Sequence, residues 1–227
     1  DLFERVLHFI ESDDPEAHHA ALVTLFDILE VAGRADLKFD LVQELERQRQ
    51  ALLSFRNNPD ISEEALSGAL YEIEQASAAL LAMQGKTGQY LRENDWLMSI
   101  RNRTGIPGGV CEFDLPAYHF WLNRDAAQRR DDLSGWLNPL LSIHAGICIV
   151  LRLLRSSGRP ERQVAPHGAF QLMLSGRTAQ LIRLRLSRNQ AVVPEISANK
   201  YALNIRFTVP DTDMRPRQSE ADIQFEL

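Results

Sequence analysis

The stretch that decides the fold is Arg103–Leu122, RTGIPGGVCEFDLPAYHFWL. Up to Arg103 the apolar residues recur at helical spacing. Across Gly105-Ile-Pro-Gly-Gly109 that rhythm breaks, and Cys111, Phe113 and Leu115 then alternate with Glu112 and Asp114, which predicts a short strand ended by Pro116. On such a strand Cys111 points with Phe113 and Leu115, so it reads as a buried structural thiol rather than a nucleophile paired with His119. Pro107-Gly108-Gly109 matches neither a nucleotide phosphate loop nor a dinucleotide fingerprint, and serves a bulge or tight turn instead.

Working outward toward the start, Leu22, Leu25, Phe26 and Leu29 follow the i, i+3, i+4, i+7 rule, with Gly33 as the stop. Asp36 is placed to cap a second helix through Leu37, Leu41, Leu45, Leu52 and Phe55, closed by Asn57-Asn58-Pro59. Asp60-Ile-Ser-Glu63 resembles a capping box for a third helix through Leu66, Leu70, Ile73, Leu80 and Leu81. The short turn between these two predicts a long helical hairpin. One further helix is expected over Tyr90–Arg103. Leu2, Phe3, Val6, Leu7 and Ile10 already repeat at helical spacing with no cap ahead of them, so further residues are expected upstream of Asp1.

Toward the end, Trp136, Leu137, Leu140, Leu141, Ile147, Leu151 and Leu154 predict a helix broken by Ser156-Ser-Gly-Arg-Pro160. Strands follow. Ile182, Leu184 and Leu186 alternate with Arg183 and Arg185, and Leu203, Ile205 and Phe207 alternate with Asn204 and Arg206, sending leucines inward and arginines outward. The expected class is α+β: an N-terminal helical domain with a long hairpin (1–104 and 131–157) and a mainly antiparallel β domain assembled from two separated segments (105–123 and 163–227).

With 227 residues, 44% apolar and 25% charged, the chain has an ordinary globular composition and length for a sizeable core. Apolar runs such as Ile147–Leu151 are too short to span a bilayer, and no basic-then-apolar leader opens the sequence. Two cysteines at no metal or redox spacing suit a reducing cytoplasm. His18 and His19 point about 100° apart on a helix, so they do not share one ion; a solvated, acidic helix entrance is expected there, and His144 is expected to be a core histidine. No cofactor or metal is implied.

The net charge of −6 hides an asymmetry. Residues 1–98 hold 8 Lys+Arg against 19 Asp+Glu, whereas 99–227 hold 17 against 12, and 152–206 hold 10 against 2. Nearly all the cations are arginines, whose planar guanidinium binds carboxylates and phosphates in two-pronged fashion. Arg183 and Arg185 lie roughly 7 Å apart on one strand face. With Arg206 outward on a second strand and Lys200 in the turn before it, a shallow basic platform is expected. Such a face suits nucleic-acid phosphates or an acidic peptide tail, and charge alone separates these two only weakly.

A resemblance does separate them. Gln89–Glu93 (QYLRE), Ile100–Arg103 (IRNR), Ile106–Gly109 (IPGG), Cys111–Pro116 (CEFDLP) and His119–Leu122 (HFWL) resemble the ZapD family of bacterial cell division. So do Trp136, Leu137–Leu140 (LNPL), Leu181–Leu184 (LIRL), Pro194–Ser197 (PEIS), Lys200, Ile205–Phe207 (IRF) and the terminal Phe225–Leu227 (FEL). The likeness spans nearly the whole chain. It implies a non-enzymatic cytoplasmic homodimer at the midcell division ring. That dimer would bind the C-terminal tail of FtsZ and cross-link its protofilaments into bundles, with no membrane and no nucleic-acid partner. It also implies a positively charged tail pocket, onto which Arg34, Arg92, Arg101, Arg103, His119, Lys200 and Arg206 carry over by position. Arg183 and Arg185 join them on charge and alternation. Asp95 and Ala202 stand where the family admits a basic residue. A nucleic-acid-binding protein using the same arginine-rich face is the alternative.

Overall fold

The structure, a computed structural model, describes residues 1–33, 37–56, 58–176, 179–211 and 216–227. It is α+β and divides into two compact units, Asp1–Leu151 and Arg152–Leu227.

In the first unit, α1 (Leu2–Ile10) leads into α2 (Pro15–Ala32). Asp14 caps α2 by accepting from the Glu16 amide, Pro15 opens it, and Gly33 closes it. Leu22, Leu25, Phe26 and Leu29 are buried, as their spacing predicts. They join Val6, Ile10, Leu91, Leu97, Ile100, Tyr118, Trp121, Leu133, Leu137 and Leu140 in one core. Each such side chain contributes about 1.5–3 kcal/mol relative to exposure.

The helical hairpin is α3 (Leu37–Leu53) and α4 (Glu63–Ala82), which pack on each other. Asp36 and Asn57 lie outside the described residues. The cap of α4 is Ser62 rather than Asp60: its hydroxyl accepts from the Ala65 amide at 3.3 Å, and the helix begins at Glu63. The single helix expected over Tyr90–Arg103 is two, α5 (Gln89–Arg92) and α6 (Asp95–Thr104). Asn94 separates them because its side chain accepts from the Leu97 amide, an N-cap bond made in extended backbone.

The largest correction falls on the opening stretch. No strand forms over 111–115. Gly108 takes φ +73°, and the Leu115 amide reaches back to the Cys111 carbonyl at 3.0 Å, a helical turn. Pro116 does not end a strand; it starts helix α7 (Pro116–Leu122). Three alternating residues without a neighbouring strand to ladder against do not hold extended backbone, and Phe113 stands 93% exposed. Residues 105–123 thus supply turns and a helix to the first unit. Cys111 is exposed rather than buried.

Next come α8 (Ala126–Leu137), a 3-10 turn over Asn138–Leu140, and α9 (Leu141–Ser157), whose last residues group with the second unit. By length and composition alone the run Ala126–Ser157 is apolar enough to cross a membrane, a test that a helix serving a protein core also passes. Here its Leu133, Leu137, Leu140, Ile143 and Val150 are buried in protein. His144 is half-buried and stacks on Phe3, ring centroids 4.7 Å apart.

The second unit holds all the described strands: β1 (Arg162–Ala165), β2 (Ala169–Met173), β3 (Val193–Ala198), β4 (Ala202–Val209), β5 (Arg217–Gln218) and β6 (Ile223–Glu226). The β region is therefore continuous in sequence, not drawn from two segments. One antiparallel sheet is β1–β6; the other runs β2–β4–β3, with β5 against the end of β4. On β4, Leu203, Ile205 and Phe207 go inward to meet Ala165, Ile223 and Phe225, as alternation predicts. Ile182, Leu184 and Leu186 pack on that core, but their segment is no regular strand; its one bridge is Arg185 to Glu226. Gly168, at φ +69°, turns β1 into β2 where a Cβ would sit 2.7 Å from the Ser219 carbonyl.

Candidate functional site

Wholly within the second unit lies a cavity of about 1050 Å³. Part of its wall is apolar, with Leu172, Leu174, Ile182 and Leu203 among the lining residues. Five cations line the same space: Arg155, Arg159, Arg183, Arg185 and Lys200. Glu226 is the one acidic side chain among the described lining residues, and it already sits 3.6 Å from Arg185. Lys200 lies 4.8 Å from the centre of the Tyr201 ring, a cation–π contact. Arg155, Arg159, Arg183 and Lys200 make no ion pair among the described residues. An aliphatic wall with unneutralised guanidinium groups can take a carboxylate-bearing, partly apolar ligand.

The residues predicted for the site divide between the two units. Arg183, Arg185 and Lys200 meet at the cavity. Arg206 does not join them: on β4 it faces away from Leu203 and pairs with Glu195 at 2.9 Å, opposite it on β3. The expected platform thus collects three of its four cations. Pleating is the reason, since Leu203 and Arg206 are an odd number of residues apart.

The others belong to the first unit. Arg92 donates to the Thr87 carbonyl at 2.8 Å and to the Leu29 carbonyl at 2.9 Å, closing the C-terminal end of α2. Arg101 pairs with Glu30 at 2.7 Å and Arg103 with Asp114 at 3.2 Å. His119 is half-buried with its Nδ1 3.3 Å from the Asn123 amide nitrogen. Arg34 lies outside the described residues. Arg155 and Arg159 were not among the expected site residues, because Arg155 precedes and Arg159 lies within Ser156–Pro160, which reads only as a helix break; their share in the basic run of 152–206 was the available signal.

The paired histidines are not a solvated helix entrance. His18 is fully buried: Arg129 Nε donates to its Nδ1 at 2.8 Å, and its Nε2 reaches the Ile10 carbonyl at 3.3 Å. Burial, followed by the charges of Arg129 and Arg130, holds its pKa below the usual histidine range. His19 Nδ1 lies 2.6 Å from the Tyr118 hydroxyl, whose pKa burial pushes up. Among the described residues no group of three or more His, Cys, Asp or Glu is placed to hold a metal.

Comparison with known proteins agrees with the motifs. The family model of ZapD, described as a cell division protein, matches residues 1–206. The chain belongs to the ZapD family. The ZapD named "Cell division protein ZapD" in Azoarcus sp. (strain BH72) is 70% identical over 227 residues, covering 100% of this chain and 90% of that protein. Its namesake in Aromatoleum aromaticum is 66% identical, covering 100% and 89%. That in Dechloromonas aromatica is 64% identical over 228 residues, covering 100% and 90%. ZapD is a family of cell division proteins and not a known enzyme family.

Proposed function

We propose that this ZapD-family chain binds the C-terminal tail of FtsZ and, as a homodimer, cross-links FtsZ protofilaments at the division ring in the cytoplasm. The observation that carries the reading is the cavity of the second unit, where five cations face one already paired carboxylate beside an aliphatic wall. Guanidinium groups without acids of their own favour carboxylates brought by a partner. The apolar wall adds what an aliphatic side chain of the tail buries, about 25 cal/mol per Å². A single such site decorates a filament; two related by a two-fold axis hold tails from two filaments, and many weak links add by avidity. Arg206, turned away from the cavity and paired with Glu195, takes no part in this site.

Nucleic acid is the second reading of the same charge. Among the cavity's described lining residues only Tyr201 is aromatic, too little for a base-stacking platform.

The experiment is low-speed pelleting of FtsZ polymers with the protein, using intact FtsZ and FtsZ lacking its C-terminal tail. Bundling is expected only with the intact polymer. Equal bundling of both would remove the tail from the account.

A further inference from the structure

The segment 181–186 has the alternation of a strand, yet only Arg185 is laddered, exchanging backbone bonds of 2.9 and 3.0 Å with Glu226. A residue that exchanges both bonds with its opposite number turns its N–H and C=O toward that neighbour, and the residues on either side turn theirs the other way. Ile182, Leu184 and Leu186 therefore present their amides and carbonyls on the edge away from β6. Among the described residues none of the three makes a backbone hydrogen bond. Backbone donors and acceptors require partners, so this is an open edge. The cavity runs beside it, with Leu181, Ile182, Arg183 and Arg185 in its wall. β3 also lies at a sheet edge, but Pro194 deprives it of an amide.

Resting on the reading that the cavity takes an acidic protein tail, we infer that the tail binds as an added β-strand along the open edge of 182–186. Strand addition takes affinity from main-chain bonds and specificity from alternate side chains. Arg183 and Arg185 repeat at roughly 7 Å on one face, the spacing of alternate residues in an extended peptide. In a helix, residues two apart do not share a face, so a helical tail presents no matching pair of carboxylates. Cross-strand neighbours share a face, and the match fixes a pattern. Residues of the tail opposite Arg183 and Arg185 are acidic, and those opposite Ile182, Leu184 and Leu186 are aliphatic, packing toward the leucine wall. A one-residue slip puts carboxylates against leucines, which makes the register specific.

The test is an N-methyl scan. A fluorescent synthetic peptide of the FtsZ C-terminal tail is titrated with the full chain, unmodified and with one backbone amide methylated at a time. Binding is expected to weaken about tenfold at alternate amides and less than about twofold at those between, since each blocked inward amide forfeits one main-chain bond. A contiguous block of sensitive positions, or a flat profile, overturns strand addition while leaving tail binding in place. Failure of the unmodified peptide to bind overturns both. A DNA oligonucleotide that displaces the peptide, or a dimer that dissociates when peptide is added, assigns the edge to another occupant and overturns the inference.

Discussion

The guanidinium of Arg129 and the imidazole of His18, 111 residues apart in sequence, meet at 2.8 Å in the interior of the first unit. Both are buried. Arg129 also donates to the carbonyls of Asp13 (2.7 Å), Leu122 (2.8 Å) and Arg124. One side chain thereby ties the α1–α2 turn to the end of α7 and the start of α8, and its charge is met by carbonyl oxygens rather than a carboxylate.

Arg129→Met keeps much of the side chain's volume but strands three carbonyls and a ring nitrogen. Leaving buried polar groups unpaired costs about 1–3 kcal/mol each, with partial relief where water enters. A loss of about 3–5 kcal/mol is expected in urea unfolding of the full chain. A loss under about 1 kcal/mol would mean that the knot is not structural.

His18 supplies a pH dependence of definite sign. The fold favours the neutral ring, so the unfolded chain, titrating near the ordinary 6.5, binds the proton more readily than the native protein. Stability is expected to be full above 6.5 and to fall as pH drops below it, levelling once the folded-state pKa is passed. His18→Gln, which can accept from Arg129 and donate to Ile10 without titrating, should flatten that part of the curve. Urea melts of both proteins on either side of 6.5 measure the difference, and identical slopes would exclude His18 as the source.

Gly146 of α9 sits against the hairpin. A Cβ there would lie 2.8 Å from Leu41 Cδ2 and 3.2 Å from Leu80 Cδ1. Gly146→Val is expected to lower stability by about 1–3 kcal/mol through overpacking, read as a drop in melting temperature. Unchanged melting would show that the two leucines yield freely.

At the cavity, Arg183→Glu combined with Lys200→Glu should abolish co-sedimentation with FtsZ polymers while leaving the unfolding free energy within about 0.5 kcal/mol of wild type, because both are surface side chains. Binding by the unmodified protein should weaken steeply as salt is raised, exposed charges being screened beyond about 8 Å at physiological ionic strength. Retained pelleting by the double variant would move the site away from this cavity.

The long elements were readable because burial repeats along them many times. α2, α3, α4 and β4 each carry enough turns or pleats for the period to be plain, although Phe55 falls beyond the end of α3 and Leu81, expected on the apolar side of α4, is exposed. The failures were short and local. Cys111–Leu115 showed the right parity for a strand, but parity does not supply a neighbouring strand, and the Pro116 that read as a stop is equally a helix start. His18 read as solvated because its partner, Arg129, is far away in sequence. The same distance problem governs the candidate site. The basic content of 152–206 was visible, yet only the pleat shows Arg206 turning from Arg183, and only the fold brings Arg155 and Arg159 beside them.

The rings of Trp96, Trp121 and Trp136 cluster edge-on and tilted with centroids 5.5–5.9 Å apart, and they are all the tryptophans the chain has. Intrinsic indole emission is consequently a signal from residues 1–151 alone, while every described strand lies in 152–227. Unfolding followed by that emission therefore registers the melting of the helical unit, and the β unit needs an optical probe of its own.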